Sequence, residues 1–338
     1  MDYFHPQAGI DPRPSKSTTR TKNAIEAILT GDRGDASNPI SQQAAIAAGW
    51  LPSIFEIKAN NVVIDGITFL RTHSYMIWSQ KNDKGSEITG LKIVNNIVKE
   101  GRGNDGIKVG NSIDALVQNN YVKDIEYGGD AIEAYDVVGF RVLDNEIDGC
   151  NSLNGTIRVS NKAGGEPGIV RGNIIKNAGH HFAISAEKGF GNVTIDNNTI
   201  IDTKTGGIFI YKNQSVSIEA PTLIEITNNT ISNYAIAPIQ GGGGTEAYLR
   251  EAASAIAVSF NLGTGIQPKV EISGNTTTGG ATNIPALCFG GGTHDASPNA
   301  KTDMSKITIS GNTFEANAKV KYINTSINVN TTKLITEM

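Results

Sequence analysis

Two short alternating patterns take turns along most of the chain. The first reads apolar-x-apolar, then a polar pair, then apolar again. It recurs as VVIDGITF (62–69), LKIVNNIV (91–98), ALVQNNYV (115–122), FRVLDNEI (140–147), GIVRGNII (168–175), VTIDNNTI (193–200), IEITNNTI (224–231), VEISGNTT (270–277) and ITISGNTF (307–314). Aligned this way, Asn falls at 96, 120, 145, 173, 198, 229, 275 and 312, and Ile67 takes that place in the first block. Between the blocks lie second runs: YMIWS (75–79), GIKVG (106–110), AIEAY (131–135), TIRVS (156–160), FAISA (182–186), GIFIY (207–211), AIAVSF (255–260), ALCF (286–289) and YINTS (322–326).

The central Asn-to-Asn gaps are 24, 25, 28 and 25 residues, a period of solenoid size. Period-2 alternation without helical spacing predicts short strands. Each coil then pairs with the coils above and below, at roughly 4.8 Å per rung. Inward Val and Ile stack into one core. An Asn at a fixed turn position can bond to the Asn of the next coil, as stacked amides do.

This pattern resembles the right-handed parallel β-helix superfamily, which includes pectate-lyase-like enzymes, polygalacturonases and phage tailspikes. The resemblance covers roughly residues 55–328. It implies an all-β solenoid of about nine to eleven coils, preceded by an N-terminal extension and cap (1–54) and followed by a short tail (329–338). Two amphipathic stretches, Thr21–Gly31 and Ser41–Gly49, are expected to be helices that cover the open solenoid end. Beyond Asn229 the period stretches to 46 and then 37 residues. The excess predicts side excursions: GGGG (241–244) with a helix over 245–253, and a loop over 290–306.

Composition narrows the partners. Gly is high, at 38 residues, as tight corners require. With 29 basic and 33 acidic residues the net charge is −4, which carries no nucleic-acid signature. No apolar run approaches a membrane span. Cys150 and Cys288 fall far apart in coil order, so no disulfide is expected, and no metal-ligand spacing is present. The first residues, MDYFHPQAGIDP, lack the basic and apolar regions of a signal peptide. The expected setting is extracellular or virion-associated, by lysis or after trimming of a longer chain. A homotrimer would match tailspike-like relatives.

In enzymes of the resembled superfamily, substrate lies along the sheet built from the second runs. Alternation turns Lys108, Glu133, Arg158, Ser185 and Phe209 outward there on consecutive rungs. It turns Phe182, Ile184 and Ala186 inward. Asp105, Asp130, His180 and His181 fall at strand edges, and Lys81, Lys162, Lys188 and Lys212 follow the strands. A lysine row suits an acidic or heavily hydroxylated polymer. Outward Tyr135, Phe209 and Tyr211 are candidate sugar-stacking platforms, with Lys108, Arg158 and His181 as further substrate contacts. The same charged residues would also form a plain cross-strand ion ladder.

Glycoside hydrolysis needs two carboxyls, about 5–5.5 Å apart for retention and about 6.5–9.5 Å for inversion. Asp105 and Asp130, on adjacent rungs, are candidates for the first spacing. Glu133 and Glu187, two rungs apart and expected exposed like Asp130, are candidates for the second. Asn104-Asp105-Gly106-Ile107 resembles the Asn-x-Asp-Gly-Ile element of polygalacturonases. Gly129-Asp130-Ala131-Ile132 resembles their Gly-Asp-Asp element with one Asp, that of the catalytic acid, missing. Gly179-His180 resembles their Gly-His element two coils later instead of one, and their Arg-x-Lys element has no match. The resemblance therefore implies catalytic roles for Asp105 and Asp130 alone.

The expected activity is that of a glycoside hydrolase acting on a polysaccharide. A lyase cleaving uronate polymers by elimination is the alternative, with Lys108 or Arg158 as base or neutraliser and Tyr135 or His181 assisting. A non-catalytic glycan-binding or tail-fibre protein is the third reading. No cofactor is expected, with calcium only if the protein is a lyase.

Overall fold

The computed structural model describes residues 4–7, 26–30, 53–72, 74–162, 164–187, 191–212, 222–238, 245–260, 266–290, 302–315, 318–323 and 332–334. Those residues form a parallel β-solenoid with three strand ladders. Each coil contributes in turn a first-pattern strand, a short strand just past the ladder Asn, and a second-run strand. The first-pattern ladder runs from Val63–Asp65 through Lys92–Val94, Gly168–Arg171 and Val193–Asp196 to Ile307–Ser310. The strand Ile132–Leu143 rounds a corner: its first part pairs with Ile157–Asn161 and its last part with Gly168–Arg171.

The most regular turns number about seven, and the second-run ladder as a whole runs over ten parallel rungs, from Ser53–Ile57 to Lys319–Ile323. In the last coil the short strand is reduced to a single parallel bridge, Thr276 to Thr313. Of the two expected capping helices, the first is overturned: Glu26–Thr30 is a strand, parallel to Thr68–Leu70 and antiparallel to Phe4–Gln7. Unpaired backbone at a sheet end outweighs a weak local helical preference. The second stretch, 41–49, lies outside the described residues, as does most of the 290–306 loop. The helix expected after GGGG is present as Thr245–Ala252. No helix among the described residues is long and apolar enough to cross a membrane.

One continuous core fills the interior, with Ile107, Ile132, Ile157, Ile184, Ile208, Ile256 and Leu287 stacked rung on rung. The asparagine column is realised in full. Each Asn from 96 to 275 donates through Nδ2 to Oδ1 of the next, at 2.9–3.0 Å, and that same Oδ1 accepts its backbone N–H. The column starts on the backbone N–H of Ile67, which donates to Asn96 Oδ1, so an apolar residue suffices at that end. The residue before each ladder Asn is in the left-handed region, for example Asn197 at φ 53° and Gly172 at φ 69°. Asn, Asp and Gly tolerate that conformation, which explains the polar pair of the repeat.

A second apolar cluster sits outside the sheet. Phe182, Phe209, Tyr211, Ala257 and Cys288 pack with Leu249 and Ala252 of the helix Thr245–Ala252. Phe182 was expected inside; its ring stacks outward on Phe209, centroids 4.8 Å apart, while Ala183 joins the inner core. Strict alternation breaks where the coil turns into the sheet.

Candidate functional site

The second-run strands pair so that Lys108 lies beside Glu133, Glu133 beside Arg158, Arg158 beside Ser185 and Ser185 beside Phe209. This is the outward row that alternation predicts. Parallel in-register pairing places residues about 25 positions apart on neighbouring rungs.

Six charged side chains from this row and its edges meet. Arg158 Nη1 donates to Glu133 Oε1 at 3.0 Å, Nε donates to Glu187 Oε1 at 2.7 Å, and Nη2 also pairs with Glu187. Lys108 Nζ pairs with the other Glu133 oxygen and lies 3.5 Å from Asp105 Oδ2. The Asp130 backbone N–H donates to Asp105 Oδ1 at 2.8 Å. The Ser152 hydroxyl bonds Asp130 Oδ1 and in turn accepts the Asn154 and Gly155 N–H groups, both at 2.9 Å. Gly129 allows the rungs to close up here, since a Cβ on it would collide with the Asn104 carbonyl.

The carboxyls expected at the surface are buried. Relative exposure is 4% for Asp105, 1% for Asp130, 2% for Glu133 and 5% for Glu187. The two cations lie over them and keep contact with solvent, with side chains 24% and 17% exposed for Lys108 and Arg158. The reason is geometric. Long basic side chains fold over shorter acidic ones and carry the charge outward.

Burial splits the protonation states. Burial, reinforced by the Glu133 charge, pushes Asp105 up to about 8. Asp130 is raised for the same reason, burial first and then its carboxylate neighbours. Glu133 is also buried, but Lys108, the hydrogen bond from Asp105 and Arg158 together hold it below the ordinary range. Asp105 is thus held as a carboxylic acid beside an ionised Glu133. Lys108 and Arg158 are held firmly protonated by their acidic partners. His181, buried beside Arg158, is pushed well below its usual value and stays neutral.

One carboxylate oxygen from each of Asp105, Asp130 and Glu133 lies within 4.8 Å of the other two. Such a set can suit a hard cation. Here an ammonium already bridges Asp105 and Glu133, so the chain supplies that charge itself.

The predicted substrate contacts divide. Tyr135 lies under Arg158, whose Cζ is 4.5 Å from the ring centre. Phe209 is fully buried, stacked on Tyr211 at 4.6 Å and closed over by the helix Thr245–Ala252. Neither Phe209 nor the 7% exposed Tyr211 presents a free platform. His181 packs 6.1 Å from both rings. Lys162 is bound by Glu87 at 2.7 Å and Asp136 at 3.7 Å. Lys188 and the Lys212 side chain lie outside the described residues. Sequence reasoning missed Ser152, Tyr75 and Trp78. Ser152 is the last residue of the strand Glu146–Ser152, at the edge of the loop that follows, where no periodic signal marks it. Trp78 is the register partner of Lys108, so the same alternation followed one rung earlier finds it.

A family model described as the right handed beta helix region matches residues 52–223. Among solved structures, the DFA-IIIase of Arthrobacter chlorophenolicus A6, without its lid, aligns at 10% identity over 78% of this chain and 71% of that one, with a TM-score of 0.33. A mutant tailspike protein of E. coli bacteriophage HK620, in complex with a pentasaccharide, aligns at 12% identity over 88% and 72%, with a TM-score of 0.35. No curated protein matches the chain.

Proposed function

This chain belongs to the right-handed β-helix family, and from that premise we propose that it is a polysaccharide-degrading hydrolase whose acid–base pair is Asp105 and Glu133. The observation that supports this reading is the pair itself. Two touching carboxyls on one outward face have environments that force one to keep its proton and the other to lose it. Asp105 would protonate the leaving glycosidic oxygen. Glu133 would meet the positive charge at the anomeric carbon, and a water would complete hydrolysis with Asp105 now acting as base. With one oxygen of each within 4.8 Å of the other, the pair lies nearer the retaining spacing of roughly 5–5.5 Å than the wider inverting one. Asp130 would tune Asp105 through its backbone N–H and its own buried acid.

Elimination is less well supported. Lys108 and Arg158 are both locked in their charged forms, so neither can accept a proton as base. Calcium enters only under that reading. A polymer substrate places the protein in an extracellular or virion-associated setting.

The test is digestion of a polysaccharide panel with the wild-type protein. New reducing ends without the ultraviolet absorbance of unsaturated uronates are expected. Both Asp105→Asn and Glu133→Gln should remove them. Absorbing products would replace hydrolysis with elimination, and binding without any cleavage would leave a recognition module.

A further inference from the structure

We propose that Trp78, supported by Tyr75, is the sugar-stacking platform of this site, and that the glycan it receives is neutral. This rests on the site reading above and adds the substrate class. The place is set by register. Trp78 pairs with Lys108 on one side and with Glu56 on the other, one rung before the charged cluster. It therefore continues the outward row Lys108–Glu133–Arg158. The indole is only partly buried, unlike Phe209. Tyr75 packs against it, centroids 4.7 Å apart and planes tilted by 31°. Lys108 Nζ lies 5.2 Å from the Tyr75 ring centre, which ties the aromatic pair to the carboxyl cluster. An aromatic face held by a second ring loses little freedom when a sugar's apolar face lies on it.

Charge decides the class of sugar. With Asp105 and Asp130 protonated, the cluster holds two carboxylates, Glu133 and Glu187, against two cations, Lys108 and Arg158. Its net charge is zero. Lys162 is matched by Glu87 and Asp136, and Lys58, near Trp78, by Glu56 at 3.1 Å. Just after the Trp78 strand Lys81 and Lys84 are exposed, and further along the row Lys321 donates to the Glu251 carbonyl. A uronate or sulfated polymer would need several uncommitted cations to replace its lost hydration. A neutral chain needs hydrogen bonds and a ring face, and Gln80, which donates to Glu56, adds an amide beside Trp78.

The experiment compares neutral and acidic polymers for binding and turnover, using wild type, Trp78→Ala and Trp78→Phe. Folding of each variant is checked by its melting curve. Wild type is expected to act on neutral polymers. Trp78→Ala should weaken binding about tenfold, roughly the worth of one aromatic contact, and Trp78→Phe should restore most of it. Intrinsic fluorescence, in a Trp50→Phe background, should change on binding. Exclusive action on acidic polymers, or Trp78→Ala binding as well as wild type, overturns this inference and leaves the hydrolase reading standing. Absence of both binding and turnover on every polymer overturns the two together.

Discussion

The Asp130 backbone N–H donates to Asp105 Oδ1 at 2.8 Å across 25 residues of sequence. One coil of the solenoid thus touches the acid of the coil before it, and this bond works against the larger effect of burial, which raises Asp105. Asp105 keeps a fixed donor, the Asp130 N–H, on one oxygen, while its other oxygen faces Lys108. The remaining consequences follow from how this buried cluster balances its charge.

Stability should fall as pH rises from about 4 to about 8. Asp105 has its native value near 8, against about 4 in an unfolded chain. Between these values the unfolded state binds fewer protons, so the stability curve slopes downward with pH. Asp130, raised likewise, acts in the same direction. Glu133, held low, acts oppositely, and its contribution is lost only as pH drops below its ordinary value. Melting temperature measured across this range should decline, and Asp105→Asn should flatten the decline. A flat wild-type profile would show that the acid is not retained. Hydrolysis should share the upper limit, with kcat/KM falling as the general acid titrates near 8. The apparent value belongs to the coupled carboxyls as a set.

Removing Arg158 should cost far more than losing a surface ion pair. Its guanidinium bridges Glu133 and Glu187, both at most 5% exposed. Without it two carboxylates stay buried with one cation between them. Arg158→Ala should lower unfolding free energy by about 3–5 kcal/mol, measured by denaturant titration at neutral pH. Arg158→Lys keeps the charge but not the fork, and should fall between. A loss under about 1 kcal/mol, the scale of exposed pairs, would mean the cluster is hydrated.

The asparagine column should show position-dependent losses. Asn198 donates to Val170 O at 3.0 Å and Asn229 Oδ1 at 2.9 Å, and accepts from Asn173. Asn198→Ala strands groups on both neighbouring coils, at on the order of 3 kcal/mol. Asn312 closes the column, accepting from Asn275 and donating to Ile272 O and Ser310 O. Asn312→Ala should cost less, because only one neighbouring Asn loses its partner. Equal denaturation midpoints for the two variants would contradict a cooperative ladder.

Phe209→Ala should act on stability and leave glycan recognition intact. The ring is fully buried between Phe182, Tyr211 and the helix Thr245–Ala252. Truncating a buried Phe costs about 3–5 kcal/mol. The check is unfolding alongside glycan affinity at low temperature. Lost affinity with unchanged stability would return Phe209 to the binding surface.

The sequence by itself determined the solenoid, its register and the outward row. Strand alternation is local, and the asparagine column counts coils directly, so Lys108, Glu133 and Arg158 could be set on adjacent rungs from spacing alone. The N-terminal stretch was misread because pairing with Thr68–Leu70 is not visible in the segment's own pattern. What only the tertiary structure decided is depth. Alternation says which way a side chain points, not what lies over it. The helix Thr245–Ala252 covers Phe209 but not Trp78, and Lys108 and Arg158 close over carboxyls expected in solvent. Desolvation and neighbouring charge then fix which acid keeps its proton. Those two quantities depend on everything packed around a group in space, and no local stretch of chain encodes them.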